Sequence, residues 1–272
     1  MRDVRSTTRW TAAAGLALAV FAVGACGGTS RSGTSPSRAK AHTLTVFAAA
    51  SLTTAFGAYA RDFTTARVHY SFGGSDQLAA QIEHGLKPDV FAAANTQLPE
   101  RLFAKGLVSR PVRFAANRLV IAVPARAAKV RGIRDLERPG VAIAIGSPTV
   151  PIGSYTRAVL ARLGPGTRTA ILRNVRSQEP DVNGIVGKLT QGAVDAGFTY
   201  ATDVRATKGA LRAIPLPRSA QPVVAYAAAI VSGAAEVPAA RAFLSGLLAG
   251  PGRHDLQAAG FLPPPAASSS TR

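Results

Sequence analysis

Two serines, each placed between a predicted strand and a predicted helix, are the side chains best placed to do chemistry. Ser51 follows an apolar strand at 44–47 and precedes an amphipathic helix over 52–65, and Ser75 follows a strand at 68–72 and opens a second helix. Parallel strands end at one edge of a sheet, so we expect both hydroxyls and both helix N-termini to face one point. Helix N-termini favour anions. The pattern predicts an oxyanion site built without charged side chains, the alternative being that each serine only caps its own helix.

Enzyme and metal motifs are absent from the sequence. The segment 73–77 (GGSDQ) lacks the last glycine of a nucleophile elbow, and 184–190 (GIVGKLT) has the wrong spacing for a phosphate loop. The four histidines show no metal-ligand spacing. A secreted hydrolase using Ser51 or Ser75 would also need a histidine in the corresponding turns. We therefore expect a protein that is not an enzyme and needs no cofactor.

The charge balance favours an anionic partner. The chain has 32 Lys and Arg against 14 Asp and Glu, a formal charge of +18. Of these bases 26 are arginines, spread evenly and without a basic stripe interleaved with aromatic residues, which argues against nucleic acid as the partner. The single cysteine excludes a disulfide framework and a zinc finger.

The first residues are predicted to be a targeting segment. Residues 1–25 combine basic residues with a short apolar stretch, typical of a secretory signal peptide, and small residues directly before Cys26 resemble the lipobox of bacterial lipoproteins. The alternative is an ordinary signal peptide with a cysteine nearby by chance. Residues 26–42 are rich in Gly, Ser, Thr and Pro and are predicted to be a flexible tether; residues 263–272 are predicted to be a disordered tail.

Strands and helices alternate along the rest of the chain, which is typical of parallel βαβ units. Breaks near 123–124 and 220–222 predict an α/β fold with two doubly wound lobes joined by two crossover segments. The first lobe would contain residues 43–122 and 223–262, and the second residues 123–222. Ligands of such sheets bind at the carboxyl ends of strands, here in the cleft between the lobes.

Several segments, taken in order, resemble the periplasmic molybdate-binding proteins of ABC importers, the ModA family. The resemblance covers roughly residues 43–262, and its specificity comes from the ordered set rather than from any single motif. The matching segments are 46–53 (VFAAASLT), 71–75 (SFGGS), 78–83 (LAAQIE), 88–94 (PDVFAAA), 150–155 (VPIGSY), 181–184 (DVNG), 197–201 (GFTYA) and 259–261 (AGF).

The resemblance implies a fold like that of the type II periplasmic binding proteins and a ligand held by neutral donors. Molybdate, and tungstate as a close analogue, would bind in the cleft, with molybdenum present only within the bound oxyanion. The family pattern assigns this role to two serine hydroxyls, two backbone positions and one phenol: Ser51, Ser75, Ile152, Val182 and Tyr200. Without the resemblance, the alternative interpretation of Tyr200 is a core tyrosine at a strand end.

The resemblance also implies the partners and the location. The protein would be a monomer that is anchored outside the cytoplasm to the cell membrane through Cys26 and delivers its anion to an ABC permease with its ATPase. Sulfate or another tetrahedral oxyanion is the alternative ligand.

Two residues depart from the family pattern. Asp76 would repel a bound dianion unless its side chain is turned away, and Ile152 is bulkier than the small residue that is common there.

Overall fold

The computed structural model describes residues 42–126 and 129–265. Its first sheet is mixed: three strands are parallel, and the fourth in the row runs antiparallel to both of its neighbours. In spatial order the strands are β2 (Arg67–Gly73), β1 (Thr43–Ala49), β3 (Val90–Ala93), β10 (Val224–Ile230) and β4 (Val112–Asn117).

The first sheet is covered by helices on both faces, which explains its apolar strands. Along β1, Val46 and Ala48 pack into the main core, whereas Phe47 packs into a second cluster with Leu78 and Phe91 on the opposite face. Strands buried on both faces appear in the sequence as continuous apolar runs. The covering helices are α1 (Thr53–Asp62), α2 (Ser75–Glu83), α3 (Gln97–Ala104), α8 (Val237–Ala249) and α9 (Pro251–Ala258).

The second sheet has the same mixed character. Its strands, in spatial order, are β7 (Val175–Glu179), β6 (Ile143–Gly146), β8 (Ala196–Tyr200), β5 (Leu119–Pro124) and β9 (Leu211–Pro215). Strand β6 is parallel to both neighbours, and β5 is antiparallel to both. The helices of this lobe are α4 (Pro151–Arg162), α5 (Pro165–Arg173), α6 (Val182–Thr190) and α7 (Ala201–Ala206).

The predicted two-lobe α/β architecture is confirmed, but the first crossing lies earlier than predicted. Residues up to 122 are predicted to lie in the first lobe, whereas β5 pairs with β8 and β9 of the second sheet. An apolar run does not specify which strand it pairs with. Pro124 therefore marks the end of β5 and not the place where the chain crosses between the lobes. The chain crosses between Asn117 and Leu119 and returns between Pro215 and Val224, a segment that contains the predicted second break.

Several elements match their predicted positions closely, and others are additional. The predicted helix at 52–65 corresponds to α1, and the predicted helix that Ser75 opens corresponds to α2. The elements not predicted are α3, α5, α7, β4, β7 and β9. The signal peptide, Cys26 and nearly all of the predicted tether lie outside the described residues, as does the tail beyond residue 265.

Candidate functional site

Parallel pairing brings the two predicted serines to one edge of the first sheet. Strands β1 and β2 pair in register with Ala49 opposite Gly73, and each serine lies two residues beyond its member of that pair. Ser51 sits within a 3-10 turn that leads into α1, and Ser75 is the first residue of α2. Both are buried. The prediction that the two turns lie side by side is confirmed.

Neither serine hydroxyl caps its own helix. The Oγ of Ser51 lies 2.9 Å from the hydroxyl of Tyr226, and the Oγ of Ser75 accepts a hydrogen bond of 3.1 Å from the N–H of Ala94. The helix caps at Leu52 and Gly74 are formed without a side-chain hydrogen bond. The helix-cap interpretation is therefore wrong for both residues. Because Ser75 Oγ accepts from Ala94, its own proton remains available to donate.

The second lobe supplies backbone donors from two helix N-termini. Ile152 is the second residue of α4, and Val182 is the first residue of α6; both are buried. First-turn N–H groups have no carbonyl partner within their own helix. The Asp181 cap of α6 accepts from Asn183 at 2.8 Å and Gly184 at 3.3 Å rather than from Val182. Only the main chain of Ile152 and Val182 is needed, so the apolar side chains are compatible with a polar role.

Tyr200 ends β8 and its phenol is buried. Its side chain is 1% exposed, and its hydroxyl has no hydrogen-bond partner among the described residues. Burial, with smaller contributions from Tyr226 and Tyr155, raises the pKa of the phenol well above its usual range. The hydroxyl therefore stays protonated and can donate. A buried hydroxyl without a partner is destabilising, which indicates that something else satisfies it.

All five predicted site residues line one cavity between the lobes, called here the cleft cavity. The first lobe contributes the turns at Ser51 and Ser75, and the second contributes Ile152, Val182 and Tyr200. Within the described part of the chain, none of the lining residues has a basic side chain. The acidic lining residue, Asp181, uses its carboxylate to cap α6 by accepting a hydrogen bond from the N–H of Asn183. The arrangement offers hydroxyls, N–H groups and helix dipoles, which together suit a small anion.

Tyr226 does not line the cleft cavity but contacts two residues that do, and the sequence alone does not point to it. It lies on β10, is fully buried, and holds the Ser51 hydroxyl. Its ring packs edge-on against Tyr200, with the centroids 5.9 Å apart, so it contacts two of the predicted site residues, Ser51 and Tyr200. Nothing in the local sequence distinguishes Tyr226, because β10 comes next to the segment that contains Ser51 only when the chain is folded.

The described residues contain no group of three or more His, Cys, Asp or Glu that could hold a metal ion. His69 lies along β2, as predicted. Among the helices of the described residues, none is both long enough and apolar enough to cross a membrane.

Residues 44–262 match the family model described as "Bacterial extracellular solute-binding protein". The molybdate-binding protein ModA of Mycobacterium tuberculosis is 34% identical over 230 residues, which is 82% of this chain and 86% of that protein.

Solved structures share the fold. The periplasmic molybdate-binding protein of Azotobacter vinelandii superposes with a TM-score of 0.72 at 24% identity, covering 82% of this chain and 100% of that one. The sulfate-binding protein SubI of M. tuberculosis gives 0.71 at 20% identity, covering 82% of this chain and 87% of that one. Both likenesses cover 82% of this chain, so the chain shares the fold of these two proteins.

Proposed function

The chain belongs to the ModA family of bacterial extracellular solute-binding proteins, and from this premise we propose that it captures molybdate and delivers it to an ABC importer. Tungstate, which has nearly the same size and charge, is proposed as a second ligand. The protein is proposed to act by binding alone, without catalysis, and as a monomer.

The cleft cavity supports capture by neutral donors. A dianion without a basic partner needs several convergent hydrogen bonds, each of which contributes about 1.5–3 kcal/mol when the acceptor is charged. We propose that the hydroxyls of Ser51, Ser75 and Tyr200 and the N–H groups of Ile152 and Val182 provide them. Such a site can release its anion, because opening the lobes exposes the donors to water without breaking a salt bridge.

The observation that carries this proposal is the buried Tyr200 hydroxyl, which has no partner among the described residues. A core tyrosine would normally find an acceptor. Tyr200 instead lines the cleft cavity together with Ser51 and Ser75. A tetrahedral oxyanion there would accept from the phenol and both serines together.

Titration calorimetry on the full chain tests the ligand. We expect micromolar or tighter binding of molybdate and tungstate, with no heat from sulfate or phosphate at the same concentrations. Binding of sulfate in preference to molybdate would retain the site and change the ligand. Absence of binding by any of the four anions to folded protein would contradict the proposed function.

We also propose that the mature chain is anchored to the outer face of the cell membrane through an acylated Cys26. This rests on the small residues before Cys26, in a part of the chain outside the described residues. Each CH₂ that an acyl chain buries contributes about 0.8 kcal/mol, so several chains hold a protein stably. Cys26→Ser is expected to move the protein from the membrane to the soluble fraction; continued membrane retention would contradict the anchor.

A further inference from the structure

A hydrogen bond joins side chains of the two lobes beside the cleft cavity. Asp76 is the second residue of α2 in the first lobe, and Thr149 lies between β6 and α4 in the second. The Thr149 hydroxyl donates to Oδ2 of Asp76 over 2.5 Å. This is the short distance expected when a hydroxyl donates to an ionised carboxylate.

The backbones of the two lobes approach closely at the same place. A Cβ added to Gly74 would lie 2.5 Å from the carbonyl oxygen of Pro180, in the second lobe, and 2.9 Å from Oδ1 of Asp76 itself. Oδ1 is buried and has no hydrogen-bond partner among the described residues. The Oδ1 side of the carboxylate is therefore folded over Gly74 and buried, whereas the hydrogen bond between Oδ2 and Thr149, a residue that is itself exposed, lies at the solvent-accessible edge of the contact between the lobes.

This geometry explains how an acidic residue is tolerated near an anion site. A carboxylate one residue after Ser75 repels a bound dianion, yet it lies at the N-terminus of α2, where the helix dipole favours negative charge. Its position also lets it reach Thr149, which is possible only when the lobes are closed. The side chain thus combines an unfavourable interaction with the ligand and a favourable interaction with the opposite lobe.

We propose that Asp76 and Thr149 form a latch that determines how slowly the bound anion leaves. The latch, which rests on the proposed function, belongs to the closed state and is absent from the open one. It therefore acts mainly on the dissociation rate, because an interaction formed only after closure does not speed the encounter. The residues position the lobes and are not proposed to touch the ligand.

The test is stopped-flow measurement of molybdate dissociation from the full chain and its variants. Thr149→Val keeps the shape of the side chain but removes the donor, and we expect dissociation about tenfold faster with little change in the association rate. Thr149→Ser keeps the hydroxyl and is the matched control, expected within about twofold of the wild-type rate. Dissociation from Thr149→Val at the wild-type rate would overturn the proposal.

A double-mutant cycle separates the latch from the charge of Asp76. In an Asp76→Ala background the latch is already gone, so Thr149→Val should change dissociation less than about twofold. Asp76→Asn keeps an acceptor for Thr149 while removing the charge, and it should release molybdate more slowly than Asp76→Ala. An undiminished Thr149→Val effect in the Asp76→Ala background would also overturn the latch.

A measurement without ligand keeps the latch distinct from the proposed function. Amide hydrogen exchange in the first turn of α2 should be faster in ligand-free Thr149→Val than in ligand-free Thr149→Ser, because the lobes open more often. If calorimetry finds no oxyanion ligand, the proposed function fails, and the amide exchange rates of the ligand-free variants are then the test of the latch. Equal exchange in both variants would then reject it.

Discussion

The Tyr200 hydroxyl is a buried polar atom for which the described residues provide no acceptor. The neighbouring serine hydroxyls do have hydrogen-bond partners: Ser51 pairs with the Tyr226 hydroxyl, and Ser75 accepts from the N–H of Ala94. Burying a hydroxyl without a hydrogen bond costs about 1–3 kcal/mol. The buried Tyr200 hydroxyl therefore lowers the stability of the ligand-free protein. A bound oxyanion that accepted its hydrogen bond would remove this penalty, and the free energy gained would contribute to affinity.

Replacing Tyr200 with phenylalanine should separate binding from stability. We expect Tyr200→Phe to weaken molybdate binding by about 1.5–3 kcal/mol, a tenfold or greater rise in Kd, because one donor to a charge is lost. Stability without ligand should be unchanged or slightly higher, since no intramolecular hydrogen bond of the described residues is broken. Calorimetry and thermal unfolding measure the two effects.

Tyr70→Phe is the matched control for this substitution. The Tyr70 hydroxyl donates to the carbonyl of Phe56 over 3.0 Å, away from the cleft cavity. Its loss should lower stability by about 1 kcal/mol and leave the molybdate Kd unchanged. A Tyr200→Phe protein that binds molybdate as tightly as wild type would remove the phenol from the site.

At the scale of elements, the N-terminus of α4 depends on Gly153. A Cβ there would lie 1.8 Å from the carbonyl oxygen of Ser147 and 2.6 Å from that of Gly146, both in the segment that enters the helix. Only a glycine allows the first turn of α4 to pack this closely on the end of β6. The same packing positions Ile152, the residue before Gly153, in the lining of the cleft cavity.

Gly153→Ala should displace the first turn of α4. We expect a loss of about 1–3 kcal/mol in the free energy of unfolding, together with weaker molybdate binding, because the overlapping atoms are backbone and must move. Denaturant unfolding and calorimetry measure both changes.

Gly187→Ala is the control within the second lobe. Gly187 lies inside α6, with no atom within 4 Å of an added Cβ, so alanine should leave binding unchanged and raise stability by up to about 1 kcal/mol. Equal effects of the two substitutions would show that the close approach at Gly153 does not constrain the site.

At the scale of the whole molecule, an ionisable group is buried beside a crevice where residues of the two lobes meet. Asp203, on α7, lines a crevice of about 330 Å³ that also includes Ser51 and Phe261 of the first lobe. Burial raises the pKa of its carboxyl to about 8, although the N–H of Tyr200, which donates to it over 2.9 Å, acts in the opposite direction. The group is therefore neutral at pH 7 and adds no negative charge beside the proposed anion site.

The raised pKa of Asp203 predicts a pH dependence of stability with an unusual sign for a carboxyl group. An unfolded aspartate has a pKa of about 3.9, so between about pH 4 and pH 8 the native state holds one more proton than the unfolded state. This contribution to stability is complete below about pH 4. It falls by about 1.4 kcal/mol per pH unit as the pH rises from there to the folded pKa.

The variant Asp203→Asn isolates this contribution, because the amide oxygen still accepts from Tyr200 but does not titrate. Denaturant unfolding at intervals from pH 5 to pH 8 should show wild type losing stability relative to the variant as pH rises. Parallel curves for the two proteins would mean that Asp203 titrates as it does in the unfolded chain.

The charge of +18 is also a property of the whole molecule. The lining of the cleft cavity has no basic side chain among the described residues, so the excess charge acts at long range rather than by contact with the ligand. A positive protein attracts oxyanions from solution, whereas the proposed neutral donors would determine how tightly a bound anion is held.

Residue types and their order are enough to predict the lobe architecture and both serine turns. Parallel strands buried on two faces produce continuous apolar runs, and the turn after each run follows from local chemistry, so Ser51 and Ser75 can be assigned to one sheet edge from the amino-acid pattern. The segments at Ile152, Val182 and Tyr200 are predictable only by resemblance to a family, since backbone donors and one phenol leave no pattern of residue types.

Which distant segments meet depends on the packing of the folded chain. The pairing of β5 with the second sheet, the contact of Tyr226 with Ser51, and the hydrogen bond from Thr149 to Asp76 each join residues far apart in the chain. An apolar strand can pair with any apolar neighbour, and a buried polar group can take any partner that packing brings within about 3 Å. Local sequence therefore specifies what each element is, while the packing of complete lobes specifies what it touches.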